Sequence, residues 1–436
     1  MNSKKPPLRQ GIGNVNALGR GILRMSSGAM GARVLGLISL PILTRIYAPE
    51  DYGILALCLA IGLTAAPAAG LGYYLAIPIP RAEKHAFELA AVSLISTMVT
   101  VSLCLLGFFL IVGSSNPLLR FEAIATGSLV IAVVCTELLT LLALRRKDYH
   151  SIATSQIAKA GVGEGTKISL GFLAASGPGL ILGQLLGYCA GLWYIGRLSG
   201  AGRNLRAALR SPIRLRKTMK RYQSYLVYRT PAQLLASYGV QAPVLFVSAL
   251  YTPAAAGQLS LAIMSLSLPV NLIGQSLSRV LYAELASIRH DRRGSEEAVK
   301  AIKYVLLRAA AVGAPCAVFL WFFAEPTFGF VFGEEWRLAG QLSSALSVYL
   351  FFQFITYPAM VILNFAGGQA AILKIHLQRA MVSSGLLAGG ALAGLGVLET
   401  VQIFAWGLAL HYAITIAVIW FWRLKNSLNS GDWQDD

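Results

Sequence analysis

The stretch Leu40–Gly62, LPILTRIYAPEDYGILALCLAIG, followed shortly by Leu71–Pro80, LGYYLAIPIP, decides the fold. It holds the end of one apolar run, a short polar hinge and a second apolar run. Turn chemistry is concentrated between Arg45 and Tyr52, where Pro49 fixes φ and Glu50 and Asp51 prefer water. The next helix is expected to open at Gly53. A membrane helix needs roughly 20 mostly apolar residues, and the runs on both sides of the hinge supply them. The unit is a helical hairpin of membrane length, and the rest of the chain reads as five more.

Composition agrees with a membrane protein. The 436 residues are 56% hydrophobic and only 13% charged, with a mean hydropathy of +0.62. Soluble domains carry roughly 25% charged residues, so the deficit argues against a large soluble helical protein. The net charge of +18 lies between apolar runs. There it directs membrane topology and meets phospholipid head groups; nucleic acid is not an expected partner. Cys58, Cys104, Cys135, Cys189 and Cys316 all fall in apolar stretches without metal or redox spacing, so no metal, disulfide framework or cofactor is expected. The polar, basic N-terminus is followed by no small-residue cleavage site, so the first apolar run is expected to be retained.

Twelve spans are expected: Ile22–Leu43, Gly53–Ile77, Ala86–Val112, Phe121–Leu144, Ile152–Ala174, Pro178–Ile195, Tyr225–Ala249, Ala254–Leu285, Ala301–Phe323, Leu342–Phe365, Ala371–Leu395 and Val401–Trp422. Basic residues test the count. With a cytoplasmic N-terminus, inside segments hold most of the 37 Lys and Arg, including Arg145–Lys147, the run from Arg197 to Arg221, and Lys374 with Arg379. The outside loops hold only Arg45, Arg120 and Arg337. This is the asymmetry of the positive-inside rule, and it places both termini in the cytoplasm.

The chain also reads as two halves. Tyr47-Ala48-Pro49 with Gly53 recurs as Tyr251-Thr252-Pro253 with Gly257, each in the first outside hinge of a six-helix half. The expectation is an all-α polytopic membrane protein with about 12 transmembrane helices in two six-helix bundles around a central cavity. Residues 1–200 form the first bundle, 201–224 a basic cytoplasmic linker and 225–436 the second bundle. Such repeats are a recurring transporter plan.

Four stretches carry a resemblance: LPILTRIYAPEDYGILAL with the downstream GYYLAIPIPR; ALRRKDYHSIATSQI entering the fifth span; GLILGQLLGY in the sixth; and LSLPVNLIGQSLSRVLYAEL in the eighth. In them the chain resembles the Wzx-type polysaccharide (O-antigen or exopolysaccharide) flippases, within the exporter superfamily that includes the MATE multidrug exporters. The final four spans resemble the family mainly in hydropathy. The resemblance implies alternating access and passage of an undecaprenyl-pyrophosphate-linked oligosaccharide across the bacterial inner membrane. Polysaccharide polymerase and glycosyltransferases are candidate partners, which the sequence by itself does not specify. No enzymatic activity is expected.

An ionisable residue at mid-span costs ~2.5–3.5 kcal/mol on insertion scales and is tolerated against a wet cavity or a partner. Arg33 in the first span, Lys159 and Lys167 in the fifth and Arg279 in the eighth are the candidate cations for the pyrophosphate. Lys159 and Lys167 lie about 80° apart around a helix of 3.6 residues per turn, so they can share a broad face. Arg suits phosphate through its planar fork, Lys through a point charge. The alternative is pairing or snorkelling, with Glu164 facing Lys167 at i,i+3 and Glu284 near Arg279. Glu137 and Glu164 are the carboxylates placed to couple transport to an ion; a structural, hydrogen-bonded role is the competing reading.

Gly161, Gly163 and Gly165 before Lys167 lack the ending of a phosphate loop and read as small residues for close helix packing. His411 reads as a packing residue. A cation-coupled small-molecule exporter would favour an acidic cavity, whereas cations outnumber acids within these spans. A membrane polymerase would need a large outside loop or clustered carboxylates. The longest outside loop, Ala324 to Gln341, holds Glu325, Glu334 and Glu335 without an evident arrangement.

Overall fold

A computed structural model describes residues 27–112, 116–174, 177–199, 201–290, 295–365 and 369–424. The basic N-terminal segment up to Arg24, Arg292 and Arg293 of the basic loop after the eighth span, and the chain from Lys425 onward lie outside the described residues. The described chain is helical, with no strand. In order, the helices are α1 (Ser27–Leu43), α2 (Pro49–Ala69), α3 (Glu83–Val112), α4 (Pro117–Arg145), α5 (Tyr149–Ala174), α6 (Gly177–Ser199), α7 (Ala201–Leu209), α8 (Pro212–Arg221), α9 (Thr230–Leu250), α10 (Pro253–His290), α11 (Ser295–Phe332), α12 (Arg337–Phe365), α13 (Gln369–Leu392) and α14 (Val397–Val418). The twelve long helices follow the twelve expected spans. Among the described residues nine of them are long and apolar enough to cross a membrane. Of the other three, α1 is short as described, while α5 and α13 carry ionisable residues along their length.

The chain divides into two compact units, one of residues up to Ile46 with Ile61–Leu234, the other of Tyr47–Ala60 with the chain from Leu235. In the first unit, α2 ends on Leu71 and Gly72, both left-handed at φ 49° and 63°, and a 3-10 turn follows at Tyr73–Ala76. A Cβ on Gly72 would overlap the Thr230 hydroxyl, so glycine is required there twice over. Arg145, at the end of α4, holds this segment by donating to the carbonyls of Ile77, Pro78 and Arg81 at 3.0–3.2 Å. Its neighbour Arg146 pairs with Glu83. Lys147 turns the chain at φ 58°, and Asp148 caps α5 by accepting from the Ser151 amide at 3.1 Å. The RRKDY motif is thus a turn that locks the GYYLAIPIPR segment to α4 and starts α5.

The expected linker 201–224 contains two short amphipathic helices, α7 and α8, rich in arginine. α8 docks on α3, where the Thr218 hydroxyl donates to buried Glu88 at 2.8 Å. Glu88 also bonds His85 Nδ1 at 2.8 Å, so its charge is satisfied without water.

In the second unit, Pro49 and Pro253 each begin a helix, as proline does at N1. α2 therefore opens at Pro49, four residues before the expected Gly53, with Glu50 and Asp51 placed favourably in its first turn. α11 runs on to Phe332 and α12 begins at Arg337, so the expected outside loop 324–341 is helical at both ends and turns only at Gly333, φ 110°. Gln258 closes that turn. Its amide donates to the Glu335 carbonyl at 2.5 Å and accepts from the Ala339 amide at 2.9 Å. Beneath it a core of Val247, Leu259, Leu342, Leu346, Leu387, Phe404 and Leu408 joins α9, α10, α12, α13 and α14. Pro67, Pro243, Pro269 and Pro315 lie inside continuous helices. Each removes one backbone donor and marks a place where a helix can bend.

Candidate functional site

The polar residues of α5 sit in a groove that glycines make possible. α6 presents Gly183, Gly187 and Gly191 to α5. A Cβ on Gly183 would stand 2.5 Å from Lys167 Cγ, one on Gly187 2.6 Å from the Lys159 carbonyl, and one on Gly191 3.1 Å from Lys159 Cβ. Both lysine stems lie on this α6-facing side, as the 80° separation anticipates. Of the three α5 glycines, a Cβ on Gly163 would stand 3.4 Å from Gly187 Cα of α6, while one on Gly161 or Gly165 would meet none of the described residues within 4 Å. The small-residue reading holds for one of the three.

Lys167 is 6% exposed and its ammonium pairs with Glu164 at 2.9 Å. The other Glu164 oxygen accepts from the Ser39 hydroxyl of α1 at 3.0 Å. The pairing alternative for Lys167 is thus present in the structure. Lys159 is different. It is half-buried, its ammonium sits 3.5 Å from the Tyr188 ring centroid, and among the described residues no carboxylate lies within ion-pair distance. Glu137 on α4 is exposed and within electrostatic range of both Lys159 and Tyr74.

Arg33 is exposed on α1 and bonds to none of the described residues. Gly28 abuts Ala153 and Ser39 meets Glu164, so α1 and α5 run parallel and Arg33 is level with Ala158. At 100° per residue it points about 120° away from the Ser39 side. Arg279 is exposed on α10 in the second unit. The structure therefore gathers Lys159, Glu164, Lys167 and Glu137 in the first unit and leaves Arg33 and Arg279 on exposed helix faces.

One cation expected in a loop lies in a helix. Arg379 is ten residues into α13, about 15 Å along its axis at 1.5 Å per residue. It donates to the Tyr412 hydroxyl at 3.4 Å. Arg379 thus belongs to α13 and not to the inside loop expected for it, and its position eight residues beyond Ala371, the expected start of the eleventh span, is the signal in the sequence. An apolar cavity of about 370 Å³ between α10, α11 and α12 has Pro269, Pro315, Phe319 and Phe351 in its wall and no charged residue among those lining it. It offers nothing to a phosphate.

Residues 42–340 match the family described as polysaccharide biosynthesis protein. The chain belongs to that family. A relative, the succinoglycan biosynthesis transport protein ExoT of Rhizobium meliloti (strain 1021), is 24% identical over 398 residues, which cover 88% of this chain and 75% of the relative. Among solved structures, the lipid II flippase MurJ in an inward closed conformation aligns with a TM-score of 0.64 at 14% identity, over 91% of this chain and 86% of that one. An outward-facing multidrug resistance MATE family transporter of the MOP superfamily aligns at 0.52 and 15% identity, over 95% and 97%. At such identities the likeness establishes the fold. This member of the polysaccharide biosynthesis family is a multi-span membrane protein with a MOP-type transporter fold.

Proposed function

We propose that the protein is a flippase that moves undecaprenyl-pyrophosphate-linked oligosaccharide repeat units across the bacterial cytoplasmic membrane, by alternating access, for surface polysaccharide assembly. The observation that carries this reading is the family match over residues 42–340, on a fold shared with a lipid flippase. The chemistry of the spans supports it. A pyrophosphate crossing a bilayer needs positive charge at depth, and the half-buried Lys159 has no carboxylate in ion-pair contact among the described residues. Lys159 and Arg33 are the candidate cations of the first unit for the lipid pyrophosphate, and Arg279 is the candidate of the second. Lys167, paired with Glu164, is the fourth candidate, and Glu164 and Glu137 are the carboxylates proposed to couple transport to an ion. Both termini lie in the cytoplasm with the basic loops. Membrane lipids, polysaccharide polymerase and glycosyltransferases are its partners, and it catalyses no covalent step.

Deletion of the gene in its host tests the reading. Surface polysaccharide is quantified together with undecaprenyl-pyrophosphate-linked glycan. Loss of surface polymer with single repeat units accumulating inside is expected. Repeat units that reach the outer leaflet but stay unpolymerised would replace this reading with a polymerase. No change in either would replace it with a small-molecule exporter.

A further inference from the structure

The second half of the chain repeats, on equivalent helices, the arrangement that holds Lys159. In the first half a cation on the fifth helix lies against a tyrosine on the sixth, Lys159 over Tyr188. In the second half α13 is the fifth helix and α14 the sixth, and there Arg379 bonds Tyr412. Space for the guanidinium is provided by α9, where a Cβ on Gly239 would lie 2.9 Å from Nη2 and 3.1 Å from Nε. Tyr349 of α12 stacks on Tyr412 with ring centroids 5.9 Å apart.

The two arrangements differ in their counter-charge. The first half places Glu164 on Lys167 and Glu137 within range of Lys159. The groups within electrostatic range of Arg379 are Tyr349, Tyr357, Tyr412, His376 and His411. Helices α9, α12 and α13 contain no carboxylate, and α14 has only Glu399 in its first turn. Thirteen residues separate Glu399 from Tyr412, about 20 Å along the helix. Nothing on these helices can neutralise Arg379 at mid-span.

Unsatisfied polar atoms accompany the charge. Among the described residues, Nε2 of His411 is buried without a hydrogen-bond partner, and so is the hydroxyl of Ser383, one turn along α13 from Arg379. A guanidinium has five N–H donors, and among the described residues this one makes a single long bond while remaining only half-buried. A planar donor fork with tyrosine hydroxyls beside it and no counter-ion has the chemistry of an oxyanion seat.

We propose that Arg379, with Tyr412 and His411, forms a binding site for a phosphate-type oxyanion within the second unit, separate from the α5 residues. The ligand is either the phosphate of a polyprenyl lipid or a free soluble phosphate. The proposal concerns binding and stands independently of whether the protein flips its ligand.

The test uses full-length protein purified in detergent. Tyrosine and tryptophan fluorescence and the thermal midpoint are followed during titration with sodium pyrophosphate and, separately, with undecaprenyl pyrophosphate in mixed micelles. Wild type is expected to respond saturably to at least one probe. Arg379→Gln should weaken that binding at least about tenfold, since a charged hydrogen-bond donor is lost. Arg379→Lys should restore part of it, and Tyr412→Phe should weaken it less. Lys303→Gln, an exposed charge-matched control on α11, should bind as wild type does. A response to pyrophosphate identifies a soluble anion as sufficient; a response to the lipid alone identifies the lipid head group. Absence of a saturable wild-type response to either probe, or wild-type affinity in Arg379→Gln, overturns the proposal. Should Arg379→Gln fail to fold, the wild-type titration and Arg379→Lys decide.

Discussion

Gly53 and Gly257 each lie against the proline that opens the other's helix. A Cβ on Gly53 would overlap the Pro253 carbonyl oxygen, and one on Gly257 would overlap that of Pro49. The repeated Tyr-x-Pro-x-x-x-Gly motif is therefore two copies of one helix start packed reciprocally, and glycine is needed because backbone meets backbone.

Gly53→Ala and Gly257→Ala are each expected to destabilise the protein by about 2 kcal/mol, the cost of overpacking a site whose neighbour is backbone. Gly62→Ala, whose Cβ would meet Leu129 at an ordinary 3.6 Å, should be neutral. Thermal unfolding of the three variants in detergent checks this. Equal midpoints would contradict it.

The α5–α6 groove makes a second contrast. Gly187→Ala should separate the helices and displace Lys159, lowering both the thermal midpoint and surface polymer in cells. Gly161→Ala meets open space and gains helix propensity, so it should leave both readouts at or above wild type.

Glu164→Gln removes the carboxylate charge paired with the Lys167 ammonium, which is 6% exposed. Breaking a buried pair from one side costs roughly 3–5 kcal/mol; the 20% exposure of the Glu164 side chain lowers the expected loss to about 2 kcal/mol. The double variant Glu164→Gln with Lys167→Met should recover much of that stability. A double-mutant cycle on unfolding free energy reads the coupling directly. Additive losses would show that the pair contributes nothing.

The proposed sidedness rests on the basic loops. In a cysteine-free background, a cysteine replacing Arg210 should react with an impermeant maleimide only after the membrane is opened. One replacing Glu334 should react in intact spheroplasts. The reverse pattern would invert the proposed topology.

The hairpin plan was legible because hydropathy and turn chemistry are local properties, and Arg45–Tyr52 displays both within a few residues. The Lys167–Glu164 pair was legible for the same reason: i,i+3 spacing on a helix fixes proximity. What escaped depends on contacts between distant helices. Nothing in the order of residues brings Glu137 near Lys159, or Gly239 beside Arg379. Arg379 escaped further because the positive-inside count assigned it to a loop, although the apolar residues after Ala371 already enclose it. The residues of 324–341 read as loop because three glutamates lower their hydropathy. A helix tolerates glutamate, and the chain turns only where Gly333 supplies a positive φ.

The most direct test of the central claim is a sided flip assay. Purified protein is reconstituted into liposomes containing a fluorescent undecaprenyl-pyrophosphate-linked repeat unit from its host, and loss of inner-leaflet label to an external quencher is timed. Wild type should move the label faster than protein-free liposomes, and Lys159→Gln should slow it at least about tenfold. Wild-type rates no faster than empty liposomes would contradict a flippase; wild-type rates in Lys159→Gln would contradict the cationic site.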